Sequence, residues 1–178
     1  MTEKLHKKAI LLFLCAGILT GLGGCSGSIS RKVDELRDSG YVIEQTDNGF
    51  YITENGTDYY FERGLTGSFF KKAVLEAHAK NDDRKATVTI TKLGHNRMSV
   101  RFISPYLDRN GKLSETGNSA DFCFKFKNDF NKENMTNNRG FHDMAGDYQS
   151  MTDAYLTPEE IKNIYDRGLD LEKEIRAE

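Results

Sequence analysis

The run Phe141-His142-Asp143-Met144-Ala145-Gly146-Asp147 sets one histidine among two close acids. A carboxylate orients an imidazole for proton transfer, and general-base hydrolysis needs that pairing. A nucleophile for it would come from Cys123. That residue stands between Phe122 and Phe124 in an alternating run, where cysteine behaves as a small, inert apolar residue. No GxSxG elbow, HExxH pair or glycine-rich phosphate loop accompanies them. A cell-envelope hydrolase with its polar centre near His142 is therefore the alternative reading, and no residue is assigned as catalytic. The metal readings are weaker. His142, Asp143 and Asp147 follow no ligand spacing. Asp108-Arg109-Asn110-Gly111 fits part of an EF-hand loop, but Tyr106 and Gly117 occupy the outer ligand positions, which leaves too few oxygens for Ca²⁺. No cofactor and no metal are expected.

The other chemistry-bearing feature is aromatic. Tyr51, Tyr59 and Tyr60 fall in segments with strand periodicity, and side chains of this kind can make a sugar- or peptide-binding face. Residues 127–156 fit no period and include five asparagines. Such a stretch is either a functional loop or hides a short element. Tyr51, Tyr59, Tyr60, Asn137, Asn138 and His142 are together the expected binding surface.

Where the chain works is more legible. Residues 1–24 hold Lys4, Lys7 and Lys8 against Glu3, then an apolar run from Ala9 to Leu22. A basic start before a short apolar helix reads as an export signal, too short for the ~20 residues of a membrane-spanning helix. The run ends in Leu22-Gly23-Gly24-Cys25, which resembles the lipobox of bacterial lipoproteins: a leucine, two small residues and a cysteine. The resemblance implies that Cys25 receives a diacylglycerol group. A signal peptidase that recognises Leu22, Gly23 and Gly24 would then cut before Cys25. Two acyl chains, at ~0.8 kcal/mol per buried methylene, anchor a protein stably. The expected location is the extracytoplasmic face of the cell membrane. Ser26 in place of Asp after the cysteine favours the outer membrane, if the cell has one.

The leader carries a net +2, so the chain after Gly24 carries -4 against -2 for the whole. A mildly acidic body is a poor nucleic-acid ligand. Cys15 leaves with the leader and Cys25 is capped, so Cys123 has no partner for an internal disulfide. The expected division is a signal peptide at 1–24, a short tether at 25–30 and one domain at 31–178. A five-residue tether spans about 17 Å when extended and keeps the domain near the headgroups.

Periodicity supplies the scaffold. Ser30 is expected to cap a helix through Arg37. Residues 41–63 read as three strands joined at Asp47-Asn48-Gly49 and Asn55-Gly56, a type I′ signature. Phe69, Phe70, Ala73, Val74 and Ala77 recur at helical spacing and predict a helix over 68–80. Strands return at 86–93, at 97–104 and around Phe122, Phe124 and Phe126. Thr157-Pro158-Glu159-Glu160 is a capping box that opens a C-terminal helix. Ile161, Ile164, Tyr165, Leu171 and Ile175 lie near one face of it, and Gly168 falls there too. The expected fold is α+β: a largely antiparallel sheet of five to six strands with N-terminal, middle and C-terminal helices. The expected function is a non-catalytic module that binds an envelope protein or a small ligand close to the membrane.

Overall fold

A computed structural model describes residues 26–81, 83–94, 97–104, 118–125, 130, 132–135 and 144–176. Helix α1 (Ser26–Asp38) leads into seven strands: β1 (Val42–Thr46), β2 (Gly49–Glu54), β3 (Thr57–Gly64), β4 (Gly67–His78), β5 (Lys85–Leu93), β6 (Arg97–Ser104) and β7 (Asn118–Lys125). A short 3₁₀ turn (Lys132–Asn134), α2 (Met144–Ala154) and α3 (Pro158–Arg176) follow. Each strand pairs antiparallel with its neighbours in chain order, so the sheet is one meander. The fold is α+β, with seven strands where five to six were expected.

Adjacent residues of a strand point to opposite faces. One row across the sheet runs Ile43, Ile52, Tyr59, Ala73, Ile90, Val100, Phe122. All but Ile43 are buried, and they share one core with Val33 of α1, Tyr148 of α2, and Ile161, Tyr165, Leu171 and Ile175 of α3. The three helices thus cover a single face. Phe70 is the hub of the β2–β4 side of this core, with ring centroids 5.9 Å from Phe61, 6.4 Å from Tyr59 and 5.7 Å from Tyr165. Phe124, Phe130 and Tyr148 form a second cluster, joined to the first through Phe130 and Tyr165 at 5.6 Å.

The segment expected as the middle helix, 68–80, is strand β4 with Ala79 and Lys80 beyond it. The reason is a β-bulge. Phe70 pairs with Phe61, but Lys72 pairs with Tyr60, so Lys71 is an extra residue. A bulge shifts the inward phase by one. From Ser68 on, the buried positions therefore run 68, 70, 73 and 77: the bulge gives the step of three, the half-buried Leu75 leaves a step of four, and together they imitate a helix. The bulge lies where β4 and β5 part, since their ladder stops at Lys72–Thr91. Glu172 of α3 fills the gap. Its carboxylate accepts the Phe70 N–H at 3.0 Å and Lys92 Nζ at 3.1 Å.

The expected three-strand meander is present. Asn55 and Gly56 both have positive φ, 51° and 75°, as a type I′ turn requires. Gly49 serves differently: a Cβ there would fall 2.0 Å from the carbonyl oxygen of Phe61. Helix α1 starts at Ser26, so Ser30 lies inside it and is not its cap, and the stretch 26–30 read as an extended tether is helical. Gly40, at φ 95°, ends this helix, with the Tyr41 N–H returning to the Leu36 carbonyl at 3.1 Å. Within 127–156, where no period is expected, the structure places α2. The capping box of α3 forms as expected: Thr157 N–H donates to Glu160 at 2.7 Å, and Glu160 N–H to the Thr157 hydroxyl at 3.2 Å.

Candidate functional site

Since the helices share one face, the other face of the sheet carries no described helix. Its central row runs Glu44, Tyr51, Tyr60, Lys72, Thr91, Ser99, Cys123. All but the exposed Glu44 are half-buried. The next row adds Thr53, Asp58, Val74, Thr89, Arg101 and Asp121. It is tied by a Thr53–Asp58 hydrogen bond of 2.7 Å and an Arg101–Asp121 ion pair. The surface is rich in hydroxyls and aromatic at one end.

That end holds a depression of about 340 Å³ lined by Thr46, Asp47, Asn48, Tyr51, Tyr60 and Lys72. The rings of Tyr51 and Tyr60 lie 4.8 Å apart at 41°, held by their direct cross-strand pairing. Lys72 extends over Tyr60, its Nζ 5.6 Å from the ring centroid, a cation–π arrangement. The β1–β2 turn supplies Asp47 and Asn48 at the rim. Thr46 Oγ1 is shielded from solvent and has no hydrogen-bond partner among the described residues. Two aromatic faces, one ammonium, one amide and one carboxylate make a surface that stacks on and hydrogen-bonds a polar ligand.

Tyr51 and Tyr60 of the expected surface come together here. Tyr59 does not. It is 4 % exposed, faces the core, and burial raises the pKa of its phenol. Neighbours in a strand cannot share a face, so the expectation that Tyr59 and Tyr60 act together is corrected. Asn137, Asn138 and His142 lie outside the described residues, as do Leu22, Gly23, Gly24 and Cys25 and the turn at Asp108–Gly111. Cys123 lies on the uncovered face between the inward-pointing Phe122 and Phe124, as the alternation implied. Lys72 was missed because its segment read as a helix. Strand pairing of the Tyr-Tyr-Phe run with Phe-Phe-Lys-Lys would have brought it to Tyr60.

The opposite face is braced at α3. Arg167 donates to both carboxylate oxygens of Glu54 at 2.8 and 2.9 Å, to Glu174 at 2.7 Å and to the Tyr41 hydroxyl at 3.0 Å. These bonds lower the Glu54 pKa, chiefly through the hydrogen bonds from Arg167, and raise that of Arg167. The network joins α3, the end of β2 and the residue before β1, so the strand that presents Tyr51 is held from behind. No group of His, Cys, Asp and Glu that could hold a metal occurs among the described residues. No described helix is long and apolar enough to cross a membrane.

Set against protein-family models, curated proteins and solved structures, the chain matches none. The class is thus defined by its architecture alone: a seven-stranded antiparallel meander with helices on one face and a tyrosine-lysine depression on the other.

Proposed function

We propose that the protein is a membrane-anchored extracytoplasmic lipoprotein and that it acts as a non-catalytic binding module. The anchor is the lipobox cysteine, Cys25, expected to carry a diacylglycerol group. The working surface is the uncovered sheet face around Tyr51, Tyr60 and Lys72. The observation that carries the reading is the division of the sheet: one face is fully used by the core, and the other is left half-exposed with an aromatic pair beneath a lysine. Tyr and cationic side chains are what binding surfaces favour, because they give contact area at low entropic cost.

A photoreactive side chain in place of Tyr51, activated in the cells that make the protein, tests this. The reading expects a discrete adduct that disappears when Lys72→Glu or Tyr60→Ser is added to a chain that remains folded. An adduct indifferent to both substitutions, or none at all, would refute this face as the binding surface. Metabolic labelling with a fatty acid reads the anchor separately, since Cys25→Ala should abolish the label.

A further inference from the structure

We propose that the sheet end bearing the β1–β2, β3–β4 and β5–β6 turns docks on an anionic lipid surface, with Leu65 entering the headgroup region. In a meander these three turns share one end by topology. Leu65 forms the tip of the β3–β4 hairpin with Thr66, between Gly64 and Gly67, which pair with each other. It is fully exposed, and among the described residues the one other exposed large hydrophobic side chain is Val42, at 66 %. Nothing in the turn calls for leucine. Gly67, at φ 147°, takes the left-handed conformation, and polar residues usually fill such tips.

Charge gathers at the same end. On the turn side of the Glu44–Cys123 row, that row included, the strands and turns hold Arg63, Lys71, Lys72, Lys92, Arg97 and Lys125 against three acids, a net of three positive charges. The α3 residues from Glu172 to Arg176 add two of each sign and leave that sum unchanged. The chain after Gly24 is negative as a whole, so the rest of the body is strongly acidic and anionic lipid would repel it. Two ion pairs close within this end, Glu62 with Lys71 and Glu172 with Lys92, and leave its net charge unchanged. Arg63, Lys71 and Arg97 are exposed. Cations around one projecting aliphatic residue fit an anionic bilayer surface, where charge attracts within a Debye length and the apolar tip enters the interface.

Helix α1 passes into β1 through Ser39–Tyr41, at the end opposite the three turns. The inference rests on the anchored reading, because the lipid on Cys25 would hold the domain at the surface while the hairpin tip orients it.

The chain has no tryptophan, so Leu65→Trp supplies a unique fluorophore. The full chain carrying it would be reconstituted in phosphatidylcholine vesicles with and without phosphatidylglycerol. Val42→Trp, at the opposite end, is the control. The expected result is a blue shift and several-fold stronger quenching by brominated lipid at position 65, in anionic vesicles, with little change at position 42. Arg63→Glu with Arg97→Glu should remove it. An unshifted signal at 65, equal responses at both positions, or an equal response in neutral vesicles would overturn the proposal. The mass of the N-terminal peptide reports acylation independently. If the chain is not acylated, the anchor reading fails, and the same titration at millimolar lipid still decides whether the hairpin docks.

Discussion

The ring of Phe70 occupies the space that a side chain on Gly168 would need. A Cβ at 168 would stand 2.5 Å from two of the ring's carbons. Phe70 cannot retreat, because it is completely buried and ringed by Tyr59, Phe61 and Tyr165. The glycine therefore sets how closely α3 approaches the sheet. Gly→Ala in a helix normally gains about 0.5–1 kcal/mol. At this position overpacking of roughly 1–3 kcal/mol opposes it. Gly168→Ala should lower stability by about 1–2 kcal/mol in urea unfolding. Combined with Phe70→Leu, it should cost less than the sum of the two single changes.

Arg167 reaches from mid-α3 to Glu54 and Tyr41. Its fork matches the carboxylate in two-point fashion, which a lysine cannot do. Arg167→Ala should cost roughly 1–3 kcal/mol, the value of a pair neither fully buried nor fully exposed. Arg167→Lys should recover less than half of that loss. Full recovery by lysine would show that charge alone matters. Chemical denaturation of the three proteins decides this.

The same pair predicts how stability responds to acid. Hydrogen bonds from Arg167 hold Glu54 below the ordinary carboxylate value of 4.5, and bonds to Thr157, the backbone one first, do so for Glu160. A carboxylate with a depressed folded pKa contributes fully above its unfolded value and loses that contribution as pH falls through the folded value. Stability should be flat above about pH 5 and decline below 4.5. Glu54→Gln should lower the plateau and flatten part of the decline. An acid limb unchanged by Glu54→Gln would show that Glu54 is not linked to folding. Urea midpoints measured from pH 7 to pH 3 supply the test.

Much of this architecture was readable from local rules. The Thr157–Glu160 box, the buried face of α3 with its glycine, the Asn55-Gly56 turn and the inward Phe122 and Phe124 all follow from spacing and backbone preference. What failed was non-local. The bulge at Lys71 exists only because β3 and β4 pair, and it broke a period of two with a step of three. Helix α2 was hidden because its inner face is Tyr148, Met151 and Thr152, continued by Tyr155 just past its end, a helical spacing made mostly of hydroxyl-bearing residues. The depression was half visible. Tyr51 and Tyr60 carried an aromatic signal, but Lys72 joined them only through strand pairing, and Tyr59 fell on the core side once alternation was respected.

The uncovered face around Lys72 is the centre of the account, and lysine footprinting tests it most directly. Intact cells and vesicle-reconstituted protein would be treated with the same amine-reactive reagent, and modification at Lys72 compared with that at the exposed Lys173 of α3. Reference to vesicles removes any shielding by lipid alone. The account predicts Lys72 several-fold less reactive in cells than in vesicles, with Lys173 unchanged. Equal reactivity of Lys72 in both settings would contradict the claim that this face is occupied by a partner.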